Sequence, residues 1–187
     1  MSEAHFDLAA RLSARLAHLG EDYCIFSRGG RDFGISVQVA REVLTGEPVT
    51  PVPQSPPSLV GVLNLRGEVL PLVQLDTLLN MPPRPYAPGD QILVLSCGDV
   101  DIGLVVDRVR DVRSIDESEM TEYPTSASDA HLLRGAWSTA TTVVGVLDAD
   151  KLVAEAVTAV NTRFHQSPQW HRNEPMRAAA IPPMSKD

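Results

Sequence analysis

Apolar residues at Leu8, Leu12, Leu16 and Leu19, with Ala9 beside them and Arg11 and Arg15 elsewhere on the wheel, keep a helical period over residues 6–19. Gly20 ends that helix in the manner of a C-terminal glycine. From Tyr23 the period becomes that of strands: Tyr23-Cys24-Ile25-Phe26 leads through Arg28-Gly29-Gly30-Arg31 into Phe33-Gly34-Ile35, a predicted hairpin. Residues 37–44 mix the two spacings and allow one helical turn followed by a strand. Pro48, Pro51, Pro53, Pro56 and Pro57 then forbid a central strand or a long helix, so this stretch runs extended over a surface.

Residues 59–65 and 68–75 are predicted to pair about an Arg66-Gly67 turn, with Asp76 as the N-cap of a short helix over 77–80. Residues 82–89 are a proline-rich loop. Residues 91–97 and 100–106 form a second aliphatic hairpin about Gly98-Asp99, and 109–115 continue the sheet. Residues 116–128 are polar and acidic and read as an exposed loop. Strands over 132–137 and 141–147 follow, and Asp150 caps a last helix whose Leu152, Val153, Ala156, Val157 and Val160 share one face. About nine short strands at this spacing predict an all-β barrel or sandwich with peripheral helices. No period of 20–50 residues recurs, which excludes a solenoid or propeller.

The chain has 187 residues and a formal charge of −8, which suits one domain or two small subdomains sharing a core. The acidic balance argues against holding nucleic acid by neutralising phosphates. Aromatic residues are only 5% of the chain, too few for a base-stacking sheet. No apolar run approaches the ~20 residues that cross a bilayer, and no signal peptide is visible, so the expected compartment is the cytoplasm. Cys24 and Cys97 each lie in a strand-like run and suit reduced thiols. Asp99 and Asp101 suit a hairpin turn better than a calcium loop. Of the five histidines only His131 falls in the expected core, and none stands beside a cysteine. No nucleophile elbow, P-loop, dinucleotide fingerprint or zinc motif is present, so no catalytic, cofactor or metal residues are assigned and function is expected at surfaces.

The segment Gly61-Val62-Leu63-Asn64-Leu65-Arg66-Gly67-Glu68-Val69-Leu70-Pro71-Leu72-Val73-Gln74-Leu75 resembles the signature of CheW-type chemotaxis coupling proteins. Three further pieces resemble the family's motifs in the same order. They are Val39-Ala40-Arg41-Glu42-Val43 with the approach Val49-Thr50-Pro51-Val52-Pro53, the stretch from Gly103 to Val112, and Gly145-Val146-Leu147-Asp148. The resemblance covers residues 21–160 and implies an all-β fold of two packed five-stranded SH3-like β-barrels with short peripheral helices. The expected domains are a helical extension over 1–20, the double barrel over 21–162 and, from its Pro-, Gln-, Asn-, Arg- and Ser-rich composition, a disordered tail over 163–187; the extension and the tail are not parts of the family's pattern.

The family's implied role is that of a non-enzymatic adaptor without a cofactor, bridging the cytoplasmic tips of methyl-accepting chemoreceptors to the regulatory domain of a CheA-type histidine kinase. It would neither insert into a membrane nor bind nucleic acid. The same adaptor in a twitching or other non-flagellar pathway is the nearest alternative. A small-barrel module for a ligand or nucleic acid is the alternative of a different class. By the same resemblance Arg66 and Glu42 pair to shape the receptor groove, beside an apolar patch of Ala40, Val43 and Leu44. Gly67 is expected to serve the turn through a positive φ, and Asn64 to hydrogen-bond that turn.

Overall fold

A computed structural model describes residues 20–87, 89–123 and 130–165, the side chains of Ala130 and of 160–165 excepted. The expected leader helix over 6–19 and the tail beyond 165 lie outside the described residues. Among the described residues eleven strands fall into two sheets. Strands β1 (Glu21–Arg28), β2 (Arg31–Ser36), β8 (Arg108–Ile115), β9 (Met120–Thr121), β10 (Leu133–Ser138) and β11 (Val143–Leu147) form the first. Strands β3 (Ala40–Thr45), β4 (Leu59–Leu65), β5 (Glu68–Gln74), β6 (Gln91–Cys97) and β7 (Val100–Val106) form the second. Helix α1 (Leu75–Leu78) follows β5 and helix α2 (Ala149–His165) follows β11.

The strand orders are β8-β1-β2-β11-β10-β9 and β3-β6-β7-β5-β4. Each sheet is built from a central hairpin, β1-β2 or β6-β7, with a single strand on one flank and a second hairpin joined in parallel on the other. In chain order the strands β3, β4, β5, β6, β7 of one sheet therefore correspond to β8, β10, β11, β1, β2 of the other. The two subdomains repeat one pairing scheme in circularly permuted order, and the second is inserted between β2 and β8 of the first. The first carries one strand beyond the five expected, the two-residue β9.

Alternation along the central strands divides the interior into three cores. Ile92 and Val94 of β6 face the second subdomain's own core with Leu63, Leu70, Leu72 and Val105. Leu93 and Leu95 of the same strand face a shared core with Phe26, Phe33 and Ile35 of the first subdomain and Leu152, Val153 and Ala156 of α2. Tyr23 and Ile25 of β1 point the other way, into the first subdomain's core with Ile115, Val144 and Val146. Strands β1 and β6 are thus buried on both faces, which is why they read as unbroken apolar runs.

Gly103 of β7 has no room for a side chain: a β-carbon there would overlap Leu72 and lie 2.8 Å from Ile92 Cγ2. Gly103→Ala is expected to destabilise the protein by ~1–3 kcal/mol through overpacking, measured as a lowered urea midpoint.

Several local expectations are corrected. Helix α1 begins at Leu75, with Gln74 rather than Asp76 at its N-cap position, because the Asp76 carboxylate is taken by Arg28. Helix α2 is capped by Asp148, whose Oδ1 accepts the Lys151 N–H at 3.1 Å, and Asp150 lies in its first turn. Val157 is exposed and leaves the apolar face formed by Leu152, Val153 and Ala156. Residues 117–119 form a 3₁₀ turn capped by Asp116, followed by β9, within the segment expected to be a loop. Residues 40–45, left open by the sequence, form β3.

Candidate functional site

Strands β3 and β4 are the two ends of the second sheet's order, so the curled sheet is open between them. Leu65 and Glu68 pair across a two-residue loop. Arg66 (φ 55°) and Gly67 (φ 95°) both take positive φ there, the conformation whose twist suits a tight hairpin. Asn64 Oδ1 accepts the Gly67 N–H at 2.8 Å and fixes the loop from within. This carries Arg66 over the opening, where its Nη2 donates to Oε2 of Glu42 on β3 at 2.9 Å. Arg66 is 78% exposed and Glu42 29%, so the pair spans the seam from the outside.

Beneath it lies a cleft of about 210 Å³ with Val94 at its floor and Arg41, Glu68 and Asp101 on its walls. Arg41 of β3 and Asp101 of β7 make a second ion pair at 3.5 Å, reaching over β6 on the wall of the cleft.

The three apolar residues expected beside Glu42 do not form one patch. Ala40 packs against the shared core and Leu44 against the second core, while Val43 faces outward, 42% exposed. Alternation along β3 turns Val43 outward with Arg41 and Thr45, while Ala40, Glu42 and Leu44 are half-buried, and the register shift between Ala40 and Glu42 parts Ala40 from Leu44.

The permuted repeat supplies the first sheet with a corresponding cleft. It measures about 490 Å³ and is lined by Arg110 and Arg113 of β8, Ile25 of β1, Asp32 of β2, and Trp137, Thr139 and Thr142 at the β10–β11 hairpin. Arg110 Nη1 donates to Asp32 Oδ2 at 3.0 Å, as Arg41 meets Asp101 in the other sheet. Two barrel seams of one design therefore stand on one molecule, and only the seam between β3 and β4 is bridged by a hairpin-tip arginine.

The sequence reading missed a buried ionic cluster between the subdomains. Arg28, at the end of β1, is fully buried and forks onto Asp76 of α1: Nε donates to Oδ1 at 2.7 Å and Nη2 to Oδ2 at 2.6 Å. Its Nη2 also donates to the Arg84 carbonyl at 2.9 Å, and Nη1 to Asp107 Oδ1 at 3.4 Å. Arg84 closes the cluster from the other side, with Nη2 at 2.6 Å from Asp107 Oδ1 and 2.5 Å from Asp90 Oδ1. The visible signals were a charge at the end of the otherwise buried run Tyr23-Cys24-Ile25-Phe26-Ser27 and single aspartates at strand and helix ends.

Burial pushes the Asp76 carboxyl up, but hydrogen bonds from Arg28, Gln74 and the Arg84 backbone N–H outweigh it and hold the group below its ordinary 3.8. A folded-state value below the unfolded one means that this contribution to stability is complete above about pH 4 and lost as pH falls through the folded value. A carbon-13 titration of the Asp76 carboxyl is expected to show its midpoint below 3.8, with the urea midpoint falling over the same acid range.

Burial also raises both free thiols, Cys24 and Cys97. His131 lies at the surface 4.0 Å from Glu155. Among the described residues no three His, Cys, Asp or Glu side chains stand together as metal ligands. No helix among them is long and apolar enough to cross a membrane.

Two permuted β subdomains fused through a shared core, with charged groups gathered at seams and hairpin tips, define a double-barrel β protein. The CheW-like domain matches residues 22–157, and the chain belongs to that family. It is 32% identical over 105 residues to the chemotaxis protein CheW of Bacillus subtilis, covering 56% of this chain and 67% of the relative. It is 32% identical over 114 residues to that of Rhizobium meliloti, covering 61% and 74%. Protein FrzA of Myxococcus xanthus is 30% identical over 125 residues, covering 66% and 78%. The crystal structure of the scaffolding protein TtCheW from Thermoanaerobacter tengcongensis shares the fold with a TM-score of 0.63 at 23% identity, covering 70% of this chain and 90% of that one.

Proposed function

We propose that this CheW-like chain is a cytoplasmic adaptor of chemotaxis signalling that couples chemoreceptor tips to the regulatory domain of a CheA-type histidine kinase, without catalysis of its own. The relatives that support this reading are chemotaxis proteins, and the similar fold is that of a scaffolding protein. The observation that carries it is the Arg66–Glu42 pair laid across the open seam of the second sheet. It is an exposed, oriented charge pair between a hairpin tip and strand β3, whose worth lies in recognition, since such pairs add only ~0–1 kcal/mol to stability. Outward-facing Val43 offers apolar contact to a receptor helix, and the largely charged seam cleft beneath the pair offers polar contact. Each partner then holds a different face of the adaptor, and repeated contacts in an array raise the effective affinity of weak pairwise ones.

The test is a pull-down of the purified chain with a kinase regulatory domain and a soluble receptor signalling fragment, separately and together. Capture of both in one complex supports the adaptor reading. Capture of neither contradicts it, and a salt-sensitive gel shift with DNA or RNA would favour the nucleic-acid alternative instead.

A further inference from the structure

The loop over residues 81–87 lacks the means to be held as a strand. Pro82, Pro83 and Pro85 have no N–H to donate. It is fastened by its ends, by Arg84 and by Tyr86, which packs on the second core and donates its hydroxyl to the Glu47 carbonyl at 3.3 Å. The Met81 N–H donates to the Asp76 carbonyl at 2.7 Å and the Arg84 N–H to Asp76 Oδ2 at 3.0 Å. The Gln74 side chain donates to the Arg84 carbonyl at 2.6 Å, and the Ala87 N–H to Asp90 Oδ2 at 2.9 Å. The Arg84 side chain then reaches past its own loop to Asp107, in the link from β7 of the second subdomain to β8 of the first.

The charges are unequal. Asp76, Asp90 and Asp107 face Arg28 and Arg84, three carboxylates to two guanidiniums. Arg28 is buried and spends its short bonds on Asp76 and the Arg84 carbonyl, leaving Asp107 at 3.4 Å and Asp90 at 3.7 Å. Arg84, 42% exposed, supplies the short contacts that neutralise those two. Withdrawing it leaves two carboxylates sharing the far end of one guanidinium, at the point where the subdomains meet.

We infer that residues 81–87 are a strap and that Arg84 is the solvent-accessible key of an ionic lock fixing the two subdomains to one another through Arg28. In the closed state Arg84 balances Asp90 and Asp107, and Arg28 keeps its fork on Asp76. With the strap lifted, Asp90 and Asp107 compete for Arg28, the fork loosens and the subdomain boundary admits water. The lock thereby sets the stiffness between the two barrel seams, and it does so whether or not a receptor or kinase is bound.

The test reads the Arg28 Nε–H directly by nitrogen-15 NMR hydrogen exchange on the full chain. Arg84→Ala is expected to speed exchange of that buried proton by about tenfold or more. The amides of Leu93 and Val146, deep in the cores, should be unchanged. Arg84→Lys is expected to recover part of the protection, because an ammonium reaches one carboxylate without forking between two. Unchanged Arg28 exchange in Arg84→Ala would overturn the lock and leave the strap a local loop. An equal acceleration at Leu93 and Val146 would also overturn it, since the effect would then be general destabilisation. None of these readouts involves partner binding, so they stand apart from the test of the adaptor role.

Discussion

Replacing Arg28 with leucine is expected to destabilise the protein by about 3–5 kcal/mol, the cost typical of removing one partner from a buried ion pair. The volume lost is small beside the electrostatic consequence. Asp76 is 1% exposed and loses both short guanidinium bonds, whereas Asp90, 4% exposed, keeps Arg84 and the Ala87 N–H. Asp76 would keep the Gln74 side chain and the Arg84 N–H, at 3.1 and 3.0 Å, which satisfy its geometry but not its charge. Its carboxyl should therefore rise above the ordinary aspartate value, reversing the shift in the native protein. Urea unfolding near pH 7 measures the loss, and lowering the pH towards 5 should narrow the gap to wild type as the orphaned carboxylate takes a proton. The double variant Arg28→Leu/Asp76→Asn is expected to lose less than the sum of the two singles, because it leaves neither buried charge opposite a missing partner. Additive losses would mean that the two side chains do not act as a pair.

The second large effect is on binding. Arg66→Glu is expected to weaken binding of the receptor signalling fragment at least tenfold, about 1.4 kcal/mol or more, while changing stability by no more than ~1 kcal/mol. The new carboxylate would stand at the exposed hairpin tip that Arg66 occupies and confront Glu42, so the surface offered to a partner changes from a balanced pair to two like charges. The hairpin itself should persist, because Asn64 and Gly67 make the turn with their own atoms. Kinase-domain binding is the internal control, since a variant that had lost its fold would lose both partners.

The contrast between these two sites shows what a single sequence discloses. Arg66-Gly67 and Gly29-Gly30 were legible as turns because a two-residue loop between apolar strands demands positive φ, and both loops have it. Strands β1, β6 and β7 were legible because burial on both faces leaves continuous aliphatic runs. Strand β3 was not, since its half-buried positions hold Ala40, Glu42 and Leu44 and blur the period, and β9 is two residues long. The permuted repeat left no sequence period because equivalent strands follow different neighbours. The Arg28 cluster was hidden for a related reason: its partners lie 48 and 79 positions away, and the charge that ends the buried run from Tyr23 to Ser27 does not by itself name them. The Arg66–Glu42 pair, only 24 positions apart, was anticipated through family resemblance rather than from spacing.

The most direct test of the adaptor account is the equilibrium affinity of the chain for a soluble receptor fragment and, separately, for a kinase regulatory domain, measured for wild type, Arg66→Glu and the swap Arg66→Glu/Glu42→Arg. The account predicts tight binding of both partners by wild type, a selective loss of receptor affinity in Arg66→Glu, and partial recovery in the swap as the pair across the seam is restored with reversed sign. Receptor affinity indifferent to Arg66→Glu, with the variant folded and bound to the kinase domain, would contradict the claim that receptors are read at this seam.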